Sequence, residues 1–79
     1  MLNIGQSLKE HRERANLNQS QLAKFTGIKQ QNISRWENST HFPNIIDCIK
    51  LANFYGISID YLLFASSDYI KILNRSLVD

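Results

Sequence analysis

Within the stretch TGIKQQNISRWEN, residues 26–38, two adjacent glutamines, a serine and an arginine occupy positions that a helix would bring to one side. At about 100° per residue, Gln30, Ser34, Gln31 and Arg35 fall within one arc, while Ile33 and Trp36 fall opposite. An amide side chain donates and accepts at once, which suits N6 and N7 of adenine. A guanidinium pairs in bidentate fashion with O6 and N7 of guanine. These four residues are therefore candidate base readers. The same pattern also describes an ordinary solvated face, since glutamine is a good helix former, and periodicity alone leaves both readings open.

Such a face is useful only if the rest of the chain makes it protrude. Asn18 is a good N-cap for a preceding helix of about Gln19 to Thr26, and Gln21 three residues on can reach back as a capping box. That helix is expected to insert Leu22, Ala23 and Phe25. Gly27 ends it, because glycine turns left-handed without strain. The next helix starts at Lys29 or Gln30 and runs to about Asn38, so the two are joined by a turn of three or four residues. This is the helix-turn-helix arrangement, whose second helix can enter a major groove.

The remaining elements are legible from caps and apolar spacing. A first helix is expected from Ile4 to Ala15, with Ile4, Leu8 and Ala15 on its inner face. Pro43 stops any extension of the third helix. Asn44 caps a fourth, whose Ile45, Ile46, Cys48, Ile49, Leu51, Ala52 and Tyr55 predict a central position, and Gly56 ends it. Ser58 and Asp60 open a fifth helix, IDYLLF, that places Leu62 and Leu63 in the core. Ser67 and Asp68 are expected to open a short sixth with Tyr69, Ile70, Leu73 and Leu77 along one stripe. Strand patterns are missing throughout, and the fold class predicted is all-α.

Composition sets the outer bounds. A chain of 79 residues, 43% hydrophobic, has room for one modest core. The single cysteine, Cys48, cannot form an internal disulfide and points to a reduced, cytoplasmic setting. No apolar run approaches the roughly 20 residues of a membrane span. His11 and His41 lack paired ligands at metal-binding spacing, and no catalytic constellation can be assembled in so small a helical domain. No metal, cofactor, small-molecule ligand or enzymatic activity is expected. The net charge of +2 is too small to announce a nucleic-acid partner, but it is unevenly spread. Residues 1–38 carry Lys9, Arg12, Arg14, Lys24, Lys29 and Arg35 against Glu10, Glu13 and Glu37. The positive charge thus lies on the half with the candidate readers.

Taken together, Leu8 and Arg12, then LNQSQLAKFTGI, QQNISRWEN and LANFYGISIDYLL, from about Ile4 to Leu63, resemble the DNA-binding domain of lambdoid phage repressors and Cro proteins, the XRE-type helix-turn-helix regulators. The helical extension over 67–79 lies beyond the resemblance and is expected either to complete the core or to contact a second chain; for residues 1–66 the resemblance implies a compact five-helix bundle. It implies double-stranded DNA as partner, bound as a homodimer on a near-palindromic operator, and repression as the activity. Gln30, Gln31, Ser34 and Arg35 then fall at base-contacting positions, and Gln19 looks like the family glutamine that holds a phosphate while touching the recognition helix. Asn38 lies where the family approaches the backbone. Arg12 and Glu37 look like its buried ion pair, a role in folding rather than recognition.

Three departures bear on these expectations. Lys29 stands where the family has a capping Ser or Thr, which weakens the cap and puts a cation at the positive end of the helix dipole; a phosphate there would relieve it. Ser39 replaces a frequent glycine. The loop NSTHFPN lacks the family's Lys and Arg, leaving His41 and backbone amides as phosphate contacts. The modest charge and this loop keep a second reading alive: an antitoxin-like or regulatory protein-interaction module on the same scaffold.

Overall fold

A computed structural model describes residues 3–65 of the chain. Every regular element among them is a helix: α1 (Ile4–Arg14), α2 (Gln19–Thr26), α3 (Gln30–Glu37), α4 (Ile45–Tyr55) and α5 (Ile59–Phe64). The all-α reading is correct. The expected sixth helix and its Tyr69, Ile70, Leu73 and Leu77 stripe lie outside the described residues. No helix among those described is long and apolar enough to cross a membrane.

Side-chain caps set the helix starts. Asn3 Oδ1 accepts from the Gln6 amide at 2.9 Å, Asn44 Oδ1 from Asp47 at 2.9 Å, and Ser58 Oγ from Tyr61 at 3.3 Å. At α2 the capping box is reciprocal: the Gln21 amide donates to Asn18 Oδ1 at 2.7 Å and the Asn18 amide to Gln21 Oε1 at 2.9 Å. Gly27 and Gly56, with φ of +75° and +69°, end α2 and α4 in the left-handed region.

Leu8, Leu22, Ile28, Ile33, Trp36, Cys48, Leu51, Ala52 and Leu62 form one continuous core. Its edges differ from the sequence expectation in three places. The first helix ends at Arg14, so Ala15 is a cap residue and exposed, and the buried face of α1 is Gly5, Ser7, Leu8, His11 and Arg12. Phe25 is exposed and stacks on Phe54, ring centroids 6.1 Å apart. Ile45, Ile46 and Ile49 also face outward. Among the described elements α4 packs against α5 and α2, which cover one flank only.

Polar groups do much of the docking of α1. Ser7 Oγ donates to the Leu62 carbonyl at 2.8 Å, His11 Nε2 lies 3.0 Å from the Tyr61 carbonyl, and Arg14 donates to that of Ala65 at 3.2 Å. The Leu62 and Ala65 carbonyls lie where a helix runs out of its own amide donors, while that of Tyr61 also accepts from the Ala65 amide at 3.1 Å. At the other end of α1, a Cβ on Gly5 would collide with the Trp36 carbonyl oxygen and crowd Ser39 Oγ. Backbone therefore rests on backbone where α1 meets the end of α3.

Candidate nucleic-acid interface

The turn between α2 and α3 consists of Gly27, Ile28 and Lys29. Ile28 is buried and pins it. Thr26 Oγ1 donates to the Leu22 carbonyl at 2.7 Å and accepts from the Ile28 amide at 3.3 Å, closing the turn on itself. Helix α3 is then held from behind by buried Ile33 and Trp36 and, at its last residue, by Glu37.

Glu37 gathers three elements. Arg12 Nε donates to Glu37 Oε2 and Arg12 Nη2 to Oε1, both at 2.8 Å, a bidentate pair with both side chains almost fully buried. Arg12 Nη1 also donates to the Leu17 carbonyl at 2.7 Å. Hydrogen bonding to the Glu37 carboxylate pushes the guanidinium pKa above its ordinary value. Gln19, the first residue of α2, donates from Nε2 to Glu37 Oε1 at 3.1 Å. The glutamine is thereby tied to the end of α3 with its carbonyl oxygen free of that bond. Behind the pair lies Tyr55, whose buried hydroxyl has no hydrogen-bond partner among the described residues. Burial first, then the nearby Glu37 charge, pushes its pKa up to about 12.

The front of α3 is different in kind. Gln30, Gln31 and Arg35 are exposed and Ser34 is half-buried, all on the arc opposite Ile33 and Trp36. None of the three exposed side chains makes a hydrogen bond or ion pair with another described residue. Their donors and acceptors are all available to a ligand. Lys29 occupies the N-cap position without a side-chain cap bond, so the first amides of α3 stay open beside a cation, an arrangement suited to an anion.

Asn38 and His41 lie beyond the other end of α3, one helix length of about 12 Å from Lys29. Asn38 Oδ1 accepts from the Thr40 amide at 3.2 Å, and the exposed His41 ring sits 3.2 Å from the Thr40 hydroxyl. Three of the backbone amides expected to be available in this loop are engaged internally. The Ser39 amide donates to the Trp36 carbonyl at 3.1 Å, and the Thr40 and His41 amides both donate to that of Arg35, at 3.0 and 3.3 Å. They close the C-terminus of α3 and are not free to hold phosphates.

A cleft of about 210 Å³ opens beside Arg35, lined also by Asn32, Trp36, His41, Phe42, Asn44 and Asp47. The sequence reading gave Asn32 and Asp47 no role there, because a cleft between a helix and a loop leaves no periodic signal. No cluster of three His, Cys, Asp or Glu side chains able to hold a metal occurs among the described residues.

A helix-turn-helix family model matches residues 8–62, most of the chain, including the whole of α2, the turn and α3. This chain belongs to the helix-turn-helix family. It is 36% identical over 62 residues to the HTH-type transcriptional regulator ImmR of Bacillus subtilis, covering 78% of this chain and 49% of that protein. It is 34% identical over 74 residues to the SPbeta prophage-derived HTH-type transcriptional regulator YonR of the same bacterium, with 90% and 68% covered. This helix-turn-helix chain thus spans about half the length of ImmR. Among solved structures, the P22 c2 repressor, crystallised with a synthetic operator, superposes with a TM-score of 0.73 at 30% identity, covering 80% of this chain and 96% of that one.

Proposed function

We propose that this chain is a transcriptional regulator that binds double-stranded DNA sequence-specifically, lays α3 in the major groove and represses by occupying an operator. The observation that carries the reading is the outward face of α3, where Gln30, Gln31 and Arg35 are exposed and uncommitted while the back of the helix is clamped. The likeness to a repressor crystallised with operator DNA supports it. Gln30 and Gln31 read base edges, Arg35 reads one turn further along, and Ser34 makes a shorter contact between them. Lys29, Gln19, Asn38 and His41 meet phosphates, which fix register without reading sequence. Two copies bind together on a near-palindromic site with half-sites about 34 to 36 Å apart.

The test is selection of bound duplexes from a random pool, followed by titration of the selected site. Gln30→Ala or Gln31→Ala is expected to cost about 1 to 3 kcal/mol and to relax preference at one base pair. Gln19→Ala weakens all duplexes alike. If Gln30→Ala lowers binding to selected and random duplexes equally, the base-reading assignment is wrong. A second reading, a protein-interaction module on the same scaffold, is favoured by the net charge of only +2 and by the Ser39, Thr40 and His41 amides being taken internally. Salt separates the two, because phosphate neutralisation makes DNA affinity fall steeply with ionic strength. Absence of salt-sensitive binding to any duplex refutes the DNA reading.

A further inference from the structure

The loop that follows α3 has an unusual means of meeting an anion. Between Arg35 and Lys50 the sequence holds no lysine or arginine, and His41 is the one side chain there that can become a cation. It is exposed, and it is held at one edge. Nδ1 lies 3.2 Å from Thr40 Oγ1, and that hydroxyl in turn donates to the Arg35 carbonyl at 3.2 Å. The Thr40 and His41 amides end on the same carbonyl. The ring is therefore tied through its neighbour to the last turn of α3.

That tie selects which nitrogen carries the proton. A hydroxyl has one hydrogen to give, and Thr40 gives its hydrogen to Arg35, so toward His41 it can only accept. Nδ1 is then the protonated nitrogen of the neutral ring, which leaves Nε2 with a lone pair at the opposite edge. A phosphate oxygen arriving there meets an acceptor where it needs a donor. Once Nε2 takes a proton from solvent, the same edge becomes a charged donor and the pairing is charge-assisted. Histidine is the side chain that makes this change between pH 5 and 8.

We propose that His41 is a proton-gated phosphate contact and Thr40 the residue that positions it. The chain binds duplex more tightly as pH falls through the histidine range, and each copy takes up one proton at Nε2 as it binds. The proposal rests on the reading of this chain as a DNA binder. The other charged side chains of the cleft that His41 lines are Arg35 from α3 and Asp47 from α4. Neither residue type titrates between pH 6 and 8, so neither supplies the switch. His11, the other histidine, is buried against Tyr55 and Tyr61 and away from this loop.

Titration of the selected duplex with the full chain at pH 6.0 and 8.0, each over a range of salt, tests it. Wild type is expected to bind about tenfold tighter at pH 6.0, within the hundredfold that uptake of one proton allows over two pH units. The slope of log affinity against log salt is expected to steepen by about 0.9 per copy. His41→Gln removes both differences and His11→Gln keeps them. Long-range 1H–15N spectra of the free chain at pH 8.0 are expected to place the His41 proton on Nδ1. In Thr40→Val that proton is free to move to Nε2, and the gap between the two pH values narrows through a gain of affinity at pH 8.0. The proposal is overturned if wild type binds equally at both pH values, if His41→Gln keeps the difference, or if the neutral wild-type ring carries its proton on Nε2. Binding to no duplex at either pH refutes the DNA reading and this proposal with it, whereas salt-sensitive binding that ignores pH refutes this proposal alone.

Discussion

The pair Arg12 and Glu37 offers the sharpest test of how this domain holds its third helix. At roughly 0.05 to 0.15 kcal/mol per residue, a chain of this size has only about 4 to 12 kcal/mol of stability to lose. Arg12→Met removes both bonds to Glu37 and the bond to Leu17, leaving a buried carboxylate whose remaining described partner is the Gln19 amide. An uncompensated charge of this kind costs about 3 to 5 kcal/mol, a large part of the total. Glu37→Leu strands the guanidinium and is expected to cost a similar amount. The double variant strands neither charge and is expected to lie within about 2 kcal/mol of wild type, because well-packed apolar replacements for a buried pair are often nearly neutral. Urea unfolding followed by far-UV circular dichroism and by Trp36 fluorescence measures all three and closes the cycle. If Arg12→Met costs less than about 1 kcal/mol, or if the double variant loses the sum of the singles, the pair is not a buried, coupled clamp and the reasoning fails.

Four further outcomes follow from geometry. Ser39 has a φ of +66°, a conformation that strains a residue with a Cβ by about 1 to 2 kcal/mol. After the chain-entropy cost of glycine, about 0.4 to 1 kcal/mol, Ser39→Gly is expected to raise the melting temperature by a few degrees; a lower one would show that the 3.3 Å Ser39 to Asn3 bond outweighs the strain. Gly5→Ala forces a Cβ onto the Trp36 carbonyl and is expected to cost about 1 to 3 kcal/mol in urea unfolding. Tyr55→Phe deletes the unpartnered hydroxyl and is expected to leave stability unchanged or raised; a loss above about 1 kcal/mol would mean that the hydroxyl is bonded in solution. Burial lowers the His11 pKa below 6.5, outweighing its hydrogen bond to the Tyr61 carbonyl. The unfolded chain then takes up the proton first, so the contribution is complete above pH 6.5 and is lost as pH falls through the folded value, at no more than about 1.4 kcal/mol per pH unit. Melting curves at pH 7.5 and 5.5 should show a smaller difference in His11→Gln than in wild type.

Local chemistry was legible in the sequence where a single residue type decides it. Asn18 with Gln21, Gly27, Asn44, Gly56 and Ser58 mark their helix ends because caps and left-handed turns admit few residues. The division of α3 into a buried and an exposed side was equally legible, since 3.6-residue periodicity fixes it. The direction of α4 was not. A run of isoleucines satisfies a central helix and a half-covered one alike, and only the number of packed neighbours, a three-dimensional quantity, separates them. Nor did composition reveal that α1 docks on α5 through Ser7, His11 and Arg14, because side chain to carbonyl bonds across 50 to 55 residues leave no spacing pattern. Gly5 carried only a weak signal, a glycine within a helical pattern that costs about 1 kcal/mol against alanine; the reason for it, the Trp36 carbonyl against its Cα, is visible only in three dimensions.

The two sides of α3 are mechanically independent. Its depth and tilt are set from behind, by Gly5 against the Trp36 carbonyl, by Ile33 and Trp36 in the core, and by Arg12 on Glu37. None of those contacts involves Gln30, Gln31 or Arg35. Replacing the three outward residues therefore alters what the helix presents without altering where it is held. A lineage built on this mount can vary the chemistry of the exposed face one side chain at a time while the contacts that hold the helix stay in place.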